Sequence, residues 1–328
     1  MNKVVVSPRI QQLFSLYAQN WMNVKRHPQI RIIPDEDNVF LCPLCLYYFT
    51  DEALQYTDTL SLEHVPPQSM GGTDGSCTLT CTKCNNEAGT KLEAHLKTKL
   101  LIDDVFARLP GTSLEVQYTP VVEGEEDIWL AATYQNEVDG IAVIGDPKRS
   151  NPQLLNQVVS KDFAGRVSGL KIRFKTPAPR RAAVALLKTA YLYLFRILGY
   201  SAIMTPAMRS VREQIQNPLS APIDGMWFRE YTFPDEILGV NVIREPQEFR
   251  SWLVVFDLKS SHSVRRFGVF LPAPQDAALQ IYAQLSTLSR GTTVAFDMTH
   301  IAEEARLISD SAACFYAYNT WGSTTFST

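Results

Sequence analysis

The sequence lacks an excess of basic charge. Its 31 Lys and Arg residues stand against 34 Asp and Glu residues, which gives a formal net charge of −3 at pH 7. A protein that holds polyanions through its overall electrostatic field carries a clear positive excess. The composition therefore excludes a general attraction to nucleic acid and leaves a local basic patch as the way to bind it.

Long hydrophobic runs are also missing. No stretch reaches the roughly 18 uninterrupted apolar residues of a membrane-spanning helix, and the most apolar segment, residues 182–198, is interrupted by Lys188 and Arg196. Residues 1–9 contain no apolar core of the kind that a secretory signal requires. We therefore expect a soluble, cytoplasmic protein with no membrane partner, and 328 residues leave room for two domains.

Cysteine is scarce, with six residues in the chain, and four of them form two CxxC knuckles. Cys42 pairs with Cys45, and Cys81 pairs with Cys84. Two knuckles of this kind supply the tetrahedral set of four thiolates that is typical of structural zinc. A metal is favoured over disulfides in a chain without a secretory signal. Cys77 could compete with Cys81 as a ligand, although the knuckle spacing favours Cys81.

Further polar groups lie between and just after the knuckles. Glu63 and His64 precede two prolines, a Gly71-Gly72 pair follows, and Asn85 comes directly after the last cysteine. The prolines and glycines end the preceding strand and force a loop. Imidazole titrates near neutral pH and can act as a base, whereas carboxylate and amide oxygens suit a hard cation such as Mg²⁺.

This arrangement resembles the HNH endonucleases over residues 42–95, and the order of its motifs is most similar to the branch that includes endonuclease VII. The resemblance implies a ββα-metal fold and hydrolysis of DNA phosphodiester bonds, which leaves a 3′-hydroxyl and a 5′-phosphate. It also implies a catalytic role for three residues, in which His64 is the general base while Glu63 and Asn85 hold a catalytic Mg²⁺ or Mn²⁺. The implied ligands of a structural Zn²⁺ are Cys42, Cys45, Cys81 and Cys84.

Two positions depart from the family pattern. Ser76 stands where an Asn is expected to brace the loop, which puts the rigidity of the loop in question more than the chemistry. Glu63 stands where most relatives carry Asp, and its longer side chain could shift the cation or leave Glu63 as a brace behind the site. Both roles of Glu63 remain open from the sequence.

We expect an α+β fold in which a zinc-stapled ββα-metal module lies within residues 1–104, with its core at 40–99, and a mixed α+β domain spans 105–328. Apolar periodicity predicts the elements. The predicted helices are 10–25, 85–99, 153–163, 180–198, 206–216 and 276–288. The predicted strands are 57–65, 78–80, 114–118, 127–134, 141–144, 170–174, 227–233, 240–243, 252–258 and 267–271.

A local basic patch is predicted between residues 161 and 196, where nine basic residues face a single acidic one, Asp162. Phosphate contacts by such a patch would position a DNA duplex. The alternative is a solvated face on a mostly buried helix. The candidate DNA-binding residues are Arg181, Lys188 and Arg196, together with Lys171, Arg173 and Lys175.

Two functions other than an autonomous nuclease are compatible with the sequence, and a third is not. A zinc-dependent nucleobase deaminase is excluded, since that chemistry requires His-x-Glu followed by Pro-Cys-x-x-Cys. A non-catalytic zinc module that binds nucleic acid or protein remains open. A further possibility is a nuclease effector that is switched on when the 105–328 domain binds a ligand, a partner or a second copy of the chain.

Overall fold

The computed structural model describes residues 7–26, 36–124, 126–159, 166–274, 278–288, 294–302, 307–310, 315–316 and 321. It combines helices with sheets whose pairings are antiparallel, and four cysteines cluster in its N-terminal part. The predicted α+β class is therefore confirmed. Within the part of the chain that is described, no helix is both long and apolar enough to cross a membrane.

The helices agree with the predicted ones at most positions. They are α1 (Pro8–Lys25), α2 (Thr82–Ala88), α3 (Ala94–Phe106), α4 (Pro152–Val159), α5 (Pro179–Leu198), α6 (Tyr200–Ile203), α7 (Pro206–Gln216) and α8 (Gln280–Thr287). A π-helical turn, Gly89–Glu93, joins α2 to α3. Glycine is a poor helix former, which fits an irregular turn that begins at this residue. Residues 160–163 and 276–277 of the predicted helices lie outside the described residues.

The strands include three that the sequence did not predict, β1, β2 and β13. In chain order the strands are β1 (Phe40–Leu41), β2 (Tyr48–Phe49), β3 (Leu60–His64), β4 (Cys77–Cys81), β5 (Ser113–Val122), β6 (Leu130–Glu137), β7 (Gly140–Gly145), β8 (Val167–Arg173), β9 (Phe228–Glu230), β10 (Gly239–Glu245), β11 (Ser251–Lys259), β12 (Val264–Pro272) and β13 (Asp297–Ile301). Two-residue strands such as β1 and β2 are too short to show an alternating pattern, so periodicity could not reveal them.

The chain groups into two compact units. Unit 1 comprises residues 1–96, 179–259 and 264–328, and unit 2 comprises residues 97–178 and 260–263. This grouping differs from the expected division after residue 104, because it joins α5 and the strands that follow to the knuckle segment, residues 40–99. The division into independently folding domains at residue 104 stays a prediction.

Helix α5 is the centre of unit 1. It is buried around most of its circumference, with Leu187, Tyr191 and Leu194 fully inaccessible to solvent. One side packs against the π-helical turn and β4, and another packs against β10, β11 and β12. A helix that is apolar on nearly all sides requires neighbours on several sides, and these contacts supply them.

Two larger sheets complete the architecture. In unit 1 the strand order is β13-β10-β11-β12-β9, and β11 and β12 are buried over most of their length, which explains their nearly continuous apolar runs. In unit 2 the order is β7-β6-β5-β8, and every residue of β8 is exposed. The small hairpin β3–β4 lies in unit 1 and carries the residues that the sequence singled out.

Candidate functional site

The four knuckle cysteines converge. The Sγ atoms of Cys42, Cys45, Cys81 and Cys84 all lie within 4.8 Å of one another. The Sγ atoms of Cys45 and Cys81 are 3.9 Å apart. A regular tetrahedron with Zn–S bonds of about 2.3 Å has edges of about 3.8 Å. The four cysteines thus fit a tetrahedral thiolate site and could bind a metal ion such as zinc.

Local backbone structure explains why the sulfurs meet. Leu46 adopts a positive φ of 58°, and its N–H donates to the Cys42 carbonyl at 2.8 Å, which closes the first knuckle into a tight turn. Cys81 ends β4, and Cys84 lies in the first turn of α2. The N–H of Cys84 donates to the Cys81 sulfur, and the N–H of Cys81 donates to the Cys42 sulfur, both at 3.4 Å.

The electrostatics of the cluster favour a cation. Burial raises the pKa of the Cys42 thiol well above its ordinary value. Hydrogen bonds from Cys42, and then from Cys45 and Cys84, lower the pKa of Cys81. The crowded thiols therefore do not ionise alike, and a central divalent cation would stabilise all of them as thiolates.

The Gly71-Gly72 pair shapes the loop between β3 and β4. Gly71 has φ +102°, a conformation that favours glycine, and it packs against the Lys259 side chain. A Cβ on Gly72 would lie 1.9 Å from the carbonyl oxygen of Pro66. The close approach of two backbone segments therefore requires glycine at position 72.

Ser76 takes part in bracing this loop. Its hydroxyl donates to the Thr73 carbonyl at 2.9 Å and accepts the Thr73 N–H at 3.1 Å. The N–H of Ser76 in turn donates to the Thr73 carbonyl at 3.0 Å. The loop thus has local hydrogen bonds although Ser76 stands in place of the expected Asn.

His64 stands at the end of β3, with its side chain 18% exposed. Its Nε2 atom lies 3.1 Å from Oδ1 of Asp74, whose side chain is almost fully exposed at 98%. Across the hairpin His64 faces Cys77, which is buried. The predicted base is thus accessible, and the sequence reasoning missed Asp74. The only signal for Asp74 was its place in the polar turn before the second knuckle.

Glu63 points into the protein. It is 3% exposed, and its Oε1 atom lies 2.7 Å from Nζ of Lys188. The same ammonium also pairs with the carboxylate of Glu93. Burial raises the pKa of Glu63 against the opposing effect of Lys188. In this arrangement Lys188 holds the Glu63 carboxylate inside the protein, and both roles of Glu63, direct cation ligand and brace behind the site, stay predictions.

Lys188 was predicted to contact DNA, and this assignment is wrong in the folded chain. Its side chain is 1% exposed and fully engaged by the two carboxylates. Burial lowers its pKa, but Glu63 and then Glu93 outweigh this effect and raise the pKa above the ordinary value. A buried, paired ammonium cannot reach a phosphate, so Lys188 leaves the set of candidate DNA contacts.

Asn85 ties helix α2 to the hairpin. Its amide nitrogen donates to Oγ of Ser61 at 2.9 Å and to the Leu62 carbonyl at 3.1 Å. These bonds orient the side chain beside β3, one residue before Glu63. The amide oxygen is the atom that a hard cation would use.

The remaining basic candidates lie in both units. Arg181 and Arg196 are half-buried on α5 of unit 1. Lys171, Arg173 and Lys175 are exposed in unit 2. Lys171 pairs with Asp127 at 2.9 Å, and the Arg173 guanidinium lies 3.9 Å from the ring centroid of Trp129. These five residues stay predicted DNA contacts.

A cavity in the described part of unit 1 adjoins the cysteine cluster and is not lined by His64. It has a volume of about 660 Å³ and is bounded by residues of both knuckles, by α2 and by the end of α7. Its lining combines Tyr47, Phe49 and Leu92 with Lys83 and Lys91. Since His64 is absent from that lining, the accessible imidazole belongs to the open surface of the hairpin.

Comparison with known proteins bears on this segment. Residues 42–101 match the family model described as HNH endonuclease. The match spans both knuckles, the β3–β4 hairpin and the following helix, and it confirms the resemblance seen in the sequence. No curated protein and no solved structure matches the chain.

Replacing Cys81 with Ser should remove one of four converging thiolates. We expect metal affinity to fall by more than the roughly 10- to 100-fold that follows loss of an outer partner of a metal ligand. The melting temperature should fall with it. Metal content per chain and thermal unfolding measure both effects. Lys83→Ser, an exposed position in the same knuckle, is the matched control, and equal behaviour of the two variants would contradict a cysteine metal site.

Replacing Lys188 with Met should leave the buried Glu63 carboxylate and the partly buried Glu93 carboxylate without a counter-ion and destabilise the fold by about 3–5 kcal/mol. Burial raises the pKa of Glu63 in the folded chain, so folding favours its protonated form, and stability falls as pH rises from the unfolded Glu pKa of about 4.3 through the raised value. The destabilisation should therefore be smallest in acid. Urea unfolding at several pH values measures it.

The triple variant with Lys188→Met, Glu63→Gln and Glu93→Gln provides the control for this experiment. It keeps similar side-chain volumes while it removes all three charges, so it should recover much of the lost stability and lose the pH dependence. If Lys188→Met alone had the same free energy of unfolding as the wild type, the ion pairs of Lys188 with Glu63 and Glu93 would not contribute to stability.

Proposed function

We propose that the chain is a metal-dependent HNH-type endonuclease that hydrolyses DNA phosphodiester bonds, with His64 as the general base. The observation that carries the proposal is the coincidence of three features on residues 42–101. This segment matches the HNH endonuclease family, its cysteines converge on one point, and its histidine is accessible at the end of the stapled hairpin.

His64 has the surroundings that a base requires. If Nε2–H donates to the Asp74 carboxylate, Nδ1 carries the lone pair that can accept a proton from water. Asp74 would then hold the ring in one tautomer and stabilise the imidazolium that forms. General base catalysis of this kind contributes about 10²–10⁴-fold to the rate of such reactions.

The hydrolysis also calls for a divalent cation, for which Mg²⁺ and Mn²⁺ are the proposed ions. Such a cation neutralises charge on the scissile phosphate and on the leaving 3′ oxygen. Asn85 offers an amide oxygen beside β3, and Asp74 offers an exposed carboxylate next to His64. Glu63 would serve only if its carboxylate left Lys188. The cysteine cage would hold Zn²⁺ in a structural role.

DNA contact is assigned to the five basic residues that remain accessible. Each phosphate contact contributes about −0.9 to the slope of log affinity against log salt concentration. Because the net charge of the chain is −3, binding must come from local groups of this kind. Cytoplasmic location remains an expectation from the sequence alone.

A second candidate function is a non-catalytic zinc module that binds nucleic acid. The capture of Glu63 by Lys188 favours it, since the carboxylate that the family uses for its cation is engaged inside the protein. Cleavage of DNA separates the two functions directly.

Plasmid nicking with Mg²⁺ or Mn²⁺ tests catalysis. We expect the wild-type chain to nick supercoiled DNA, EDTA to abolish nicking, and His64→Ala to slow it by about 10²–10⁴-fold because the base is lost. His262→Ala is the control, since this imidazole is exposed in unit 2. DNA that is bound but left intact with every cation would establish the non-catalytic alternative.

Charge reversal tests the DNA surface. Arg181→Glu and Lys175→Glu should each weaken DNA binding. Each should also reduce the steepness of log affinity against log salt concentration by about 0.9, the contribution of one phosphate contact. Binding is measured on the His64→Ala background at several salt concentrations, so that cleavage does not interfere. Lys148→Glu, an exposed charge outside the predicted patch, is the matched control. Slopes equal to that of the control would rule the patch out.

A further inference from the structure

We propose that His64, Asp74 and Cys77 form a second metal site, which takes a thiophilic divalent ion such as Zn²⁺ in preference to Mg²⁺. The site would lie at the open end of the β3–β4 hairpin. It is separate from the four-cysteine cage, and it shares the Asp74 carboxylate with the oxygen ligands proposed for the catalytic cation.

The three donor groups lie close together. One ring nitrogen of His64, a carboxylate oxygen of Asp74 and Sγ of Cys77 all lie within 4.8 Å of one another. Nε2 of His64 and Oδ1 of Asp74 are 3.1 Å apart. His64 and Cys77 are direct partners in the antiparallel register, so their side chains share one face of the hairpin. Three ligands leave an open position, as in zinc sites that also bind water.

The donors also select the ion. Thiolate and imidazole are ligands of Zn²⁺ and of similar transition metals, whereas Mg²⁺ takes oxygen ligands and keeps several waters. Cys77 is 2% exposed and closes the inner side of the site, while Asp74 stands in solvent. An ion can therefore enter from the surface and meet a sulfur ligand behind it.

The hairpin keeps this site apart from the cage. Leu60 pairs with Cys81 at one end of the ladder, and His64 pairs with Cys77 at the other. Four residue steps along a strand span about 13 Å. Cys77 therefore cannot replace Cys81 in the cage, which resolves the competition that the sequence left open and leaves the Cys77 thiol available for another ion.

The loop holds two of the ligands in place. Asp74 begins the turn and Cys77 follows it, and the reciprocal hydrogen bonds of Thr73, just before the turn, and Ser76, its last residue, form a capping box. The Cys77 thiol lies 3.7 Å from the Thr73 carbonyl. On metal binding this thiol would release its proton to solvent, and the thiolate would form the bond to the ion.

Occupation of the site would inhibit the enzyme, a step that rests on the proposed function. A metal bound to Nε2 together with the Asp74 carboxylate takes over the groups that orient the His64 base. Zn²⁺ would thus oppose the reaction that Mg²⁺ or Mn²⁺ supports.

Metal binding is tested without nucleic acid. Equilibrium dialysis against Zn²⁺ should give two ions per wild-type chain and one for Cys77→Ser. Titration with Co²⁺ of protein that retains one Zn²⁺ per chain, in the four-cysteine cage, should produce a thiolate-to-cobalt absorption band in the wild type that Cys77→Ser lacks. Asp74→Asn should weaken binding of the second ion by at least about tenfold, the lower range for partners of metal ligands.

Two controls keep the result decisive. The first is His262→Ala, which should bind both ions. The second is a test of folding, in which each variant should keep the circular dichroism spectrum of the wild type and retain one zinc ion per chain. Asp74 is exposed, so its substitution leaves the core intact if Cys77→Ser proves unstable. One ion per wild-type chain, or a second ion that survives both substitutions, would overturn the site.

Inhibition is measured separately. Nicking with Mg²⁺ at increasing Zn²⁺ should stop in the wild type, and Cys77→Ser, normalised to its own rate without Zn²⁺, should tolerate at least about tenfold more of the ion. Equal sensitivity would overturn the inhibitory role. If no variant nicks DNA with any cation, the proposed function fails, while the dialysis result still decides whether the site exists.

Discussion

A single buried ammonium ties the knuckle segment to the helix at the centre of unit 1. Nζ of Lys188 on α5 lies between Glu63 of β3 and Glu93 of the π-helical turn. A carboxylate is rarely buried without a partner, and removing one member of such a network leaves an uncompensated charge. The ammonium therefore fixes where β3 lies against α5, and α5 in turn packs on the five-stranded sheet.

The direction of His64 follows from this constraint. Successive side chains of a strand point to opposite faces, so a Glu63 that is held inside turns the next residue outward. At the other end of the hairpin, the cysteine cluster joins the end of β4 to the first knuckle. The hairpin is thus held from inside and from one end, while its open end presents an imidazole beside Asp74 and Cys77. A rigid support with an accessible polar group is what a catalytic or metal-binding residue requires.

His64 can have two chemical roles at this position. With water and a hard cation nearby, imidazole serves as a base; with a thiolate and a carboxylate around it, the same ring is a good ligand for a soft ion. In the β3–β4 hairpin, both roles, general base and metal ligand, would fall to the imidazole of His64. Under the two proposals, the chemistry of this surface depends on which cation is present, because a hard ion would use oxygen donors alone and a soft ion would also use the His64 nitrogen and the Cys77 sulfur.

The sequence by itself determined the features that depend on local chain geometry. The two CxxC knuckles, the loop that the prolines and glycines force after β3 and the buried character of α5 follow from spacing and residue type, because a turn or a helical face involves neighbours in sequence. The tertiary structure alone decided the partners of Glu63, Lys188 and Asp74. Glu63 and Lys188 are 125 positions apart, and an ion pair across that separation leaves no periodic pattern. Lys188 was assigned to the basic patch, but Ala185 and Leu192 lie on the same face of α5, and both are buried with it. A charged residue on an apolar face is compatible with solvent exposure or with an internal partner, and only packing against β3 determines which of the two occurs.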